Sequence, residues 1–426
     1  MCIIYLNLII CTRMVKKHFI VAFVSFFFSL VLVEIFLARF FPQKTYKALY
    51  KKAISCFTEG INTVFTLKPN CSFSLTDYET KEVFETRTNS LGYRGYDFEV
   101  KKRFGEKRIL ISGDSFILGF GVKDGDMVSY VLEEKLKKIS STNPLKGASV
   151  INAGYAGGFG PDGYYLHLKE KGMSLSPDLV VFSVFVFNDF SDMENNEWFG
   201  VGKYGQPRKI VSKTIMVDDR GVLLPKDIPI VYRLPIIRES HLAVFTTKAF
   251  SQIKEKINHY SDLIRFKISL PVIPSGEAKD SSLPAAYERS CLFGEICHRK
   301  NLHLYSDLLA TILASREMVE DQFTDNKSHF LVLIIPADFQ IYPEALSKYG
   351  DFTGIPLNAA EIDNPNPQRK IKEILSWEKI SYIDLLPVFR ENKKRLYFME
   401  DGHWNKDGHE IVAEEIKKWI EKNYGN

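Results

Sequence analysis

The chain has 426 residues, enough to bury a large hydrophobic core in one or two domains. Its 56 basic and 52 acidic side chains leave a net charge of +4, which is too weak to indicate nucleic-acid binding. The sequence also has no zinc-ligand spacing, no Walker loop, no internal repeat and no low-complexity tract, which argues against the protein classes that these patterns mark.

The N-terminal segment is typical of a membrane anchor. Two lysines precede a run without charge, Phe19–Val33, which stays mostly apolar to Phe41. That length suffices for a helix to cross a bilayer, which takes roughly 20 residues. The lysines predict that the N-terminus lies inside and the rest of the chain outside. A cleaved signal peptide is the alternative, but no small-x-small site follows the apolar run. We therefore predict an uncleaved anchor at 19–41 after a short cytoplasmic segment, 1–18, with Met14 as an alternative start.

Cysteine usage fits an oxidising compartment. Four cysteines follow the predicted anchor, namely Cys56, Cys71, Cys291 and Cys297. The pairs Cys56–Cys71 and Cys291–Cys297 would close the shortest loops. Three connectivities stay open from the sequence, as do free buried thiols.

A polar lead-in at 43–105 precedes the main domain, and its segment VFETRTNSLGYRGYDF predicts short strands. From residue 106 to about 425, apolar strands alternate with helices. The predicted strands are 108–112, 148–154, 178–187, 330–336 and 381–387. The predicted helices are 127–139, 161–172, 304–323, 368–377 and 407–424. This alternation predicts an α/β fold with a parallel sheet that is covered by helices on both faces.

The alternation breaks after the third strand, at about 190–300. There the sequence predicts a hairpin turning at Asp218–Gly221, a helix near Ala243–Tyr260 and a Pro/Ser-rich loop. We interpret this region as an insertion that shapes the ligand pocket, because loops beside strand ends commonly do so.

Several polar residues follow the ends of the predicted strands. Gly113-Asp114-Ser115 follows the first strand, Asn152 to Gly158 belongs to the second strand and the turn after it, and Asn188-Asp189 follows the third. The last strand leads to FMEDGHWNKDGHE, which holds Asp401 and His403. Because the carboxyl ends of parallel strands lie on one edge of the sheet, these residues are expected to converge there.

Each of these residues has a chemical role if the reaction is acyl transfer. The Ser115 hydroxyl is a weak nucleophile and needs a base, which His403 supplies. Asp401 can hold the other ring nitrogen of that histidine. The Ser115 N–H, the Gly157 N–H and the Asn188 side-chain amide are donors suited to an oxyanion. This chemistry needs no metal and no organic cofactor.

Four blocks in this order resemble the SGNH/GDSL hydrolase superfamily: Gly-Asp-Ser at 113–115, NAGYAGG at 152–158, FND at 187–189 and DGHWN at 401–405. NSLGYRG at 89–95 is similar to a lead-in of membrane-anchored bacterial members. The resemblance implies a flavodoxin-like three-layer α/β/α sandwich. It also implies Ser115 as nucleophile, Gly157 and Asn188 as oxyanion donors and His403 as base, with Gly154 as the less favoured glycine.

One departure from the family pattern concerns the acid. Many members carry it three residues before the histidine, where this chain has Glu400, whereas Asp401 lies two residues before. The Asp-x-His-Trp form is similar to members that transfer acetyl groups onto polysaccharides and also to plain esterases. The sequence therefore predicts a membrane-anchored serine esterase facing the periplasm or the exterior, acting on an acyl ester, with O-acetylated carbohydrate among the candidates. An O-acyltransferase and a non-catalytic envelope binding module are the alternatives.

Most of these side chains also have a structural interpretation. Ser115 has the character of a helix N-cap, and Asn188-Asp189 that of a turn. A structural role is favoured for His409 and for Asp114 as a brace of the turn, whereas Trp404 suits the pocket and the core equally. The segment CHRKNLH at 297–303 has no second cluster of ligands nearby, so no metal site is predicted.

Overall fold

The structure is a computed structural model, and it describes residues 2–43, 54–226, 234, 237, 239–247, 249–250, 293, 302–325, 327–346 and 365–425, with side chains from residue 20 onward. The chain divides into two compact units, Met1–Ala53 with Asp227–Lys279, and Ile54–Lys226 with Asp280–Asn426.

The first unit contains one long helix, α1 (Cys2–Phe40). Its segment Ile20–Phe40 has a mean hydropathy of 2.7 and, by length and composition, can cross a membrane as an anchor or serve as a signal. Glu34 accepts hydrogen bonds from Ser240 Oγ at 2.7 Å and from two backbone N–H groups at the start of the helical residues 241–247. A carboxylate in this apolar stretch is thus paired with the first turn of another helix, as the orphan N–H groups there favour.

The second unit begins with two antiparallel hairpins, which correspond to the short strands predicted for the lead-in. Strand β1 (Phe57–Glu59) pairs with β2 (Phe65–Leu67), and β3 (Ser72–Thr76) pairs with β4 (Val83–Arg87). A disulfide joins Cys56 to Cys71 and ties the start of the first hairpin to the start of the second. This is one of the two short-loop pairings predicted above. Cys291 and Cys297 lie outside the described residues.

A five-stranded sheet forms the centre of the second unit. Its strands are β5 (Arg108–Gly113), β6 (Ser149–Gly154), β7 (Leu179–Phe185), β12 (Phe330–Ile335) and β13 (Ser381–Asp384). Their order across the sheet is β13-β12-β7-β5-β6, and every neighbouring pair is parallel. Numbered along the chain, this is the order 2-1-3-4-5 of flavodoxin-like folds. All residues of β5, β7 and β12 are buried, as expected for strands covered on both faces.

Helices cover both faces of this sheet. They are α2 (Ser115–Leu118), α3 (Val128–Leu136), α4 (Pro161–Glu170), α5 (Asp189–Glu194), α6 (Leu302–Glu320), α7 (Asn366–Trp377), α8 (Leu385–Glu391) and α9 (Lys406–Tyr424). Right-handed crossovers put α3 on one face and α4, α6 and α7 on the other. In agreement, α9 packs against α3, and α6 packs against α4 and α7. The predicted three-layer α/β/α architecture is confirmed.

The fifth strand is shorter than predicted. The strand expected at 381–387 ends at Asp384, because the Asp384 carboxylate accepts the N–H of Leu386 and caps α8. The leucines after it therefore belong to a helix.

The described part of the insertion contains two hairpins. Strand β8 (Asn196–Val201) pairs with β9 (Pro207–Ser212), and β10 (Ile215–Val217) pairs with β11 (Leu223–Pro225). The second hairpin turns at Asp218–Gly221, as predicted, with the Gly221 N–H bonded to the Asp218 carbonyl. Of the helix predicted at Ala243–Tyr260, the described residues 243–247 and 249–250 are helical, and 251–260 lie outside the described residues.

Candidate active site

Ser115 lies on a tight turn between strand β5 and the short helix α2. The strand ends at Gly113, where an added Cβ would come within 2.1 Å of Ser183 Oγ, so the chain needs glycine there. The Asp114 carboxylate accepts the N–H of Phe116 at 3.0 Å. Asp114 therefore caps the helix, and Ser115 is its first residue rather than its cap. Ser115 is 8% exposed, and its hydroxyl is left available for another partner.

His403 is that partner. Its Nε2 lies 2.8 Å from Ser115 Oγ, and its Nδ1 is hydrogen-bonded to Asp401 Oδ2. Glu400, the other candidate acid, instead forms an exposed ion pair with Lys81. The geometry thus connects Ser115, His403 and Asp401 in one chain of hydrogen bonds, the arrangement in which a carboxylate orients an imidazole toward a hydroxyl.

Aromatic side chains hold the imidazole of His403. The Phe120 ring stacks on it at 5.5 Å between centroids, and the Phe116 ring packs at 4.9 Å. Trp404 is fully buried against the Phe116 ring, which assigns it to the core rather than to the pocket. Phe116 and Phe120 both follow Ser115 closely in the chain. The segment that carries the Ser115 hydroxyl therefore also positions the imidazole of His403.

The electrostatics of this pair favour an ionised carboxylate. Burial raises the pKa of Asp401, but the His403 charge and hydrogen bonds from His403 and Tyr78 outweigh burial and lower it. Burial lowers the pKa of His403, but Asp401, with smaller effects from Asp114 and Asp338, outweighs burial and raises it. Asp401 therefore stabilises the imidazolium that would form when His403 takes a proton.

Tyr78 is a site residue that the sequence did not indicate. Its hydroxyl donates a hydrogen bond to Asp401, and burial together with this carboxylate raises the pKa of the phenol above its ordinary value. The residue lies in the tip between β3 and β4, so the lead-in reaches the site. No sequence signal could have found it, because Tyr78 and Asp401 meet only through the packing of distant segments.

Three residues of the same cavity, Ser115, Gly157 and Asn188, could supply hydrogen-bond donors. The N–H groups of Ser115 and Gly157 have no hydrogen-bond partner within the described part of the chain. A Cβ added at Gly157 would contact nothing within 4 Å. Asn188 donates from Nδ2 to Asp192 Oδ2 at 2.7 Å, and the same carboxylate oxygen accepts the Gly158 N–H at 3.2 Å. Asp192 is thus a second residue that the sequence did not indicate, and it fixes Asn188 while leaving one amide N–H for a ligand.

All five predicted site residues line one cavity of about 420 Å³ at the carboxyl edge of the sheet, namely Ser115, Gly157, Asn188, Asp401 and His403. The cavity lies beyond the carboxyl ends of β5 and β7. The connections that follow these two strands cross opposite faces of the sheet, and folds of this kind bind ligands at such a point. Phe185, Phe187 and Ile215 add apolar walls, and Thr214 and Asn195 add polar groups. Ile215 and Thr214 come from the start of the β10–β11 hairpin and the residue before it, so the insertion contributes to the cavity.

Gly154, the less favoured glycine, has a packing role. A Cβ there would lie 2.1 Å from the backbone nitrogen of Leu118, so α2 can approach β6 only because this residue is glycine. Asn152 strengthens the same contact by donating to the Ile117 carbonyl at 2.7 Å.

Two further candidates also lie in structural positions. Asp189 accepts the Phe185 N–H and the Tyr164 hydroxyl, which braces the end of β7. His409 accepts the Val128 N–H through Nδ1, and burial lowers its pKa to about 3, so it is neutral. Among the residues that the structure describes, no group of three or more His, Cys, Asp or Glu is arranged for a metal ion, and 297–301 of the CHRKNLH segment lie outside those residues.

No family model matches the sequence, and no curated protein matches it. Solved structures to which the chain is similar include a lipase/acylhydrolase from Enterococcus faecalis, at 11% identity and a TM-score of 0.34, covering 74% of this chain and 96% of that chain. They also include a protein of the G-D-S-L family from Desulfitobacterium hafniense, at 11% identity and a TM-score of 0.32, covering 74% of this chain and 99% of that chain. A two-domain esterase active on acetylated mannans matches at 14% and 0.31, covering 76% of this chain and 51% of that chain. Because these scores are low, the assignment of function depends on the geometry of the site.

Proposed function

We propose that this protein is a serine esterase. The observation that carries the proposal is the hydrogen-bonded chain from Ser115 Oγ through the His403 ring to Asp401 Oδ2. It lies at a cavity that is also lined by Ser115 and Gly157, whose backbone N–H groups have no partner among the described residues. A nucleophile beside an oriented base, with donors ready for developing negative charge, is the set that acyl transfer requires.

The first half of the reaction forms an acyl-enzyme. Ser115 Oγ attacks the ester carbonyl carbon as His403 Nε2 accepts the hydroxyl proton. The carbonyl oxygen becomes an oxyanion that receives hydrogen bonds from the Ser115 and Gly157 N–H groups and from the free amide N–H of Asn188. The tetrahedral intermediate collapses when the bond to the leaving alcohol breaks and His403 returns the proton to that alcohol oxygen.

The second half repeats these steps with a different nucleophile. Water gives its proton to His403 and adds to the acyl-serine carbonyl. The bond to Ser115 Oγ then breaks as His403 returns the proton to Ser115 Oγ, and the carboxylic acid leaves. If a sugar hydroxyl takes the place of water, the same residues perform O-acyl transfer, the alternative that the sequence left open. The acetyl ester of an O-acetylated carbohydrate is one candidate substrate, because the cavity has both apolar walls and polar side chains.

The N-terminal helix and the disulfide indicate the compartment in which the reaction takes place. We propose that Ile20–Phe40 is an uncleaved single-pass anchor and that the catalytic domain faces the periplasm or the exterior. The Cys56–Cys71 disulfide supports this side of the membrane, because such bonds persist in oxidising compartments.

The test is hydrolysis of p-nitrophenyl acetate by the full chain in detergent, for wild type and Ser115→Ala. We expect turnover to vanish in Ser115→Ala. Ser112→Ala is the matched control, because Ser112 Oγ is buried in β5 with no hydrogen-bond partner among the described residues, and we expect it to keep its activity. Turnover that survives Ser115→Ala would refute the proposal. A folded wild type that forms an acyl-serine but releases it only to an added sugar would assign acyl transfer.

A further inference from the structure

A buried arginine lies directly behind the turn that carries Ser115. Arg94 is the arginine of the NSLGYRG segment, and only 1% of it is exposed. Its Nη1 donates to the carbonyls of Leu118 at 2.8 Å and Gly119 at 2.6 Å, and its Nη2 donates to the Val122 carbonyl at 2.8 Å. One side chain therefore binds three carbonyls within five consecutive residues.

The rest of the guanidinium is also paired. Arg94 Nε donates to Asp124 Oδ1 at 2.9 Å and to Thr86 Oγ1 at 3.1 Å, and Nη2 forms an ion pair with the same Asp124 oxygen at 2.7 Å. Such full pairing is needed because an unpaired buried cation is strongly unfavourable. The planar fork of arginine reaches all of these acceptors together, whereas lysine has a single charged nitrogen and cannot.

The segment held by Arg94, Leu118–Val122, contacts two parts of the site. The Ser115 carbonyl accepts the N–H groups of Gly119 at 3.0 Å and Phe120 at 3.2 Å, so the position of the nucleophile is tied to these residues. The Phe120 ring stacks on His403. A displacement of this segment would move the hydroxyl and the ring that supports its base.

We propose that Arg94 is a positioning residue of the Ser115 site, and this inference rests on the proposed function. Arg94 touches neither the hydroxyl nor the imidazole. It holds the segment Leu118–Val122 so that Ser115 Oγ and His403 Nε2 stay within hydrogen-bond distance. The lead-in that supplies Arg94 thereby helps to position the site.

A second buried arginine provides a matched control. Arg108 is also 1% exposed, and its guanidinium donates to the carbonyls of Glu99, Val100 and Leu175 and to the Glu106 carboxylate. It begins β5, whereas the site lies beyond the other end of that strand. Arg94→Lys and Arg108→Lys therefore remove similar networks, and only the first network holds the site.

The experiment compares Arg94→Lys, Arg108→Lys and wild type as full chains. Circular dichroism measures the Tm of each protein. The values of kcat and KM for p-nitrophenyl acetate are then measured at a temperature below all three unfolding transitions. We expect both variants to have a lower Tm than wild type. We expect Arg94→Lys to lose kcat and kcat/KM together, by roughly 10- to 100-fold, with KM unchanged, because a nucleophile misplaced by about 1 Å loses about that much rate. Arg108→Lys is expected to keep the wild-type kcat.

Wild-type kcat in folded Arg94→Lys, or an equal loss of kcat in Arg108→Lys, would overturn the inference. If Arg94→Lys does not fold, Asp124→Asn decides the question, since the half-exposed carboxylate is the charged partner of Arg94 and its isosteric amide keeps the shape of the network. A smaller loss of kcat at constant KM in Asp124→Asn supports the inference, and unchanged kinetics overturn it. A wild type without any serine-dependent turnover would instead be a failure of the proposed function.

Discussion

Replacing Gly154 by alanine tests how closely the α2 helix must approach the sheet. The added Cβ would lie 2.1 Å from the backbone nitrogen of Leu118 and 2.5 Å from the carbonyl carbon of Ile117. Ordinary van der Waals contact begins at 3.4 Å. The α2 backbone therefore has to move by about 1 Å, which is roughly the amount by which both distances fall short of 3.4 Å. Backbone cannot turn aside as a flexible side chain can.

That movement would displace the proposed nucleophile, because Ser115 is the first residue of α2. Ser115 Oγ and His403 Nε2 are 2.8 Å apart, and a displacement of about 1 Å is enough to break their hydrogen bond. We expect kcat to fall roughly 10- to 100-fold. We expect overpacking to cost about 1–3 kcal/mol of stability, which lowers Tm by a few degrees.

The assay is p-nitrophenyl acetate hydrolysis together with thermal unfolding of the full chain. Gly157→Ala is the matched control, because its added Cβ meets nothing within 4 Å and the backbone N–H stays in place. We expect its Tm to be unchanged. Wild-type kcat and Tm in Gly154→Ala, or an equal fall of Tm in Gly157→Ala, would refute this reasoning.

Two further predictions concern the acid and the disulfide. Asp401→Asn is expected to lower kcat roughly 10³-fold and to shift the acidic limb of the kcat/KM profile to lower pH, because His403 loses the carboxylate that raises its pKa and must be neutral to accept a proton. Glu400→Gln is expected to change neither, and an equal loss there would contradict the assignment of the acid. Replacing Cys56 and Cys71 together by serine is expected to destabilise the second unit by about 3 kcal/mol, the value for a closed loop of this length. Denaturant titration measures this, and a variant as stable as wild type would be evidence against the bond.

Much of this architecture could be predicted because it is encoded between neighbours in the chain. The apolar runs at Ile109–Ile111 and Phe330–Ile335 contain no polar residue, so each predicted a buried strand. The Asp218–Gly221 turn was predicted from residues that favour turns, and the structure places a hairpin there. The end of the fifth strand at Asp384 was missed, because a capping carboxylate there outcompetes an apolar pattern that strands and helices share.

The site was predictable only in part, for a related reason. That Ser115 and His403 converge follows from a parallel sheet, which brings strand ends to one edge whatever their distance in sequence. The choice of Asp401 over Glu400 depends on which carboxylate the loop turns toward the imidazole, and neighbouring residues do not determine that.

By itself, the sequence determined the apolar N-terminal helix, the alternation that builds the sheet, and the polar residues at strand ends, since local periodicity and turn chemistry are properties of short segments. Only the tertiary structure decided which side chains support those residues. The contacts of Tyr78 with Asp401, of Asp192 with the Gly158 N–H and of Arg94 with the Leu118 carbonyl join segments that are remote in sequence. Such contacts depend on how the layers pack, and packing is a property of the whole fold.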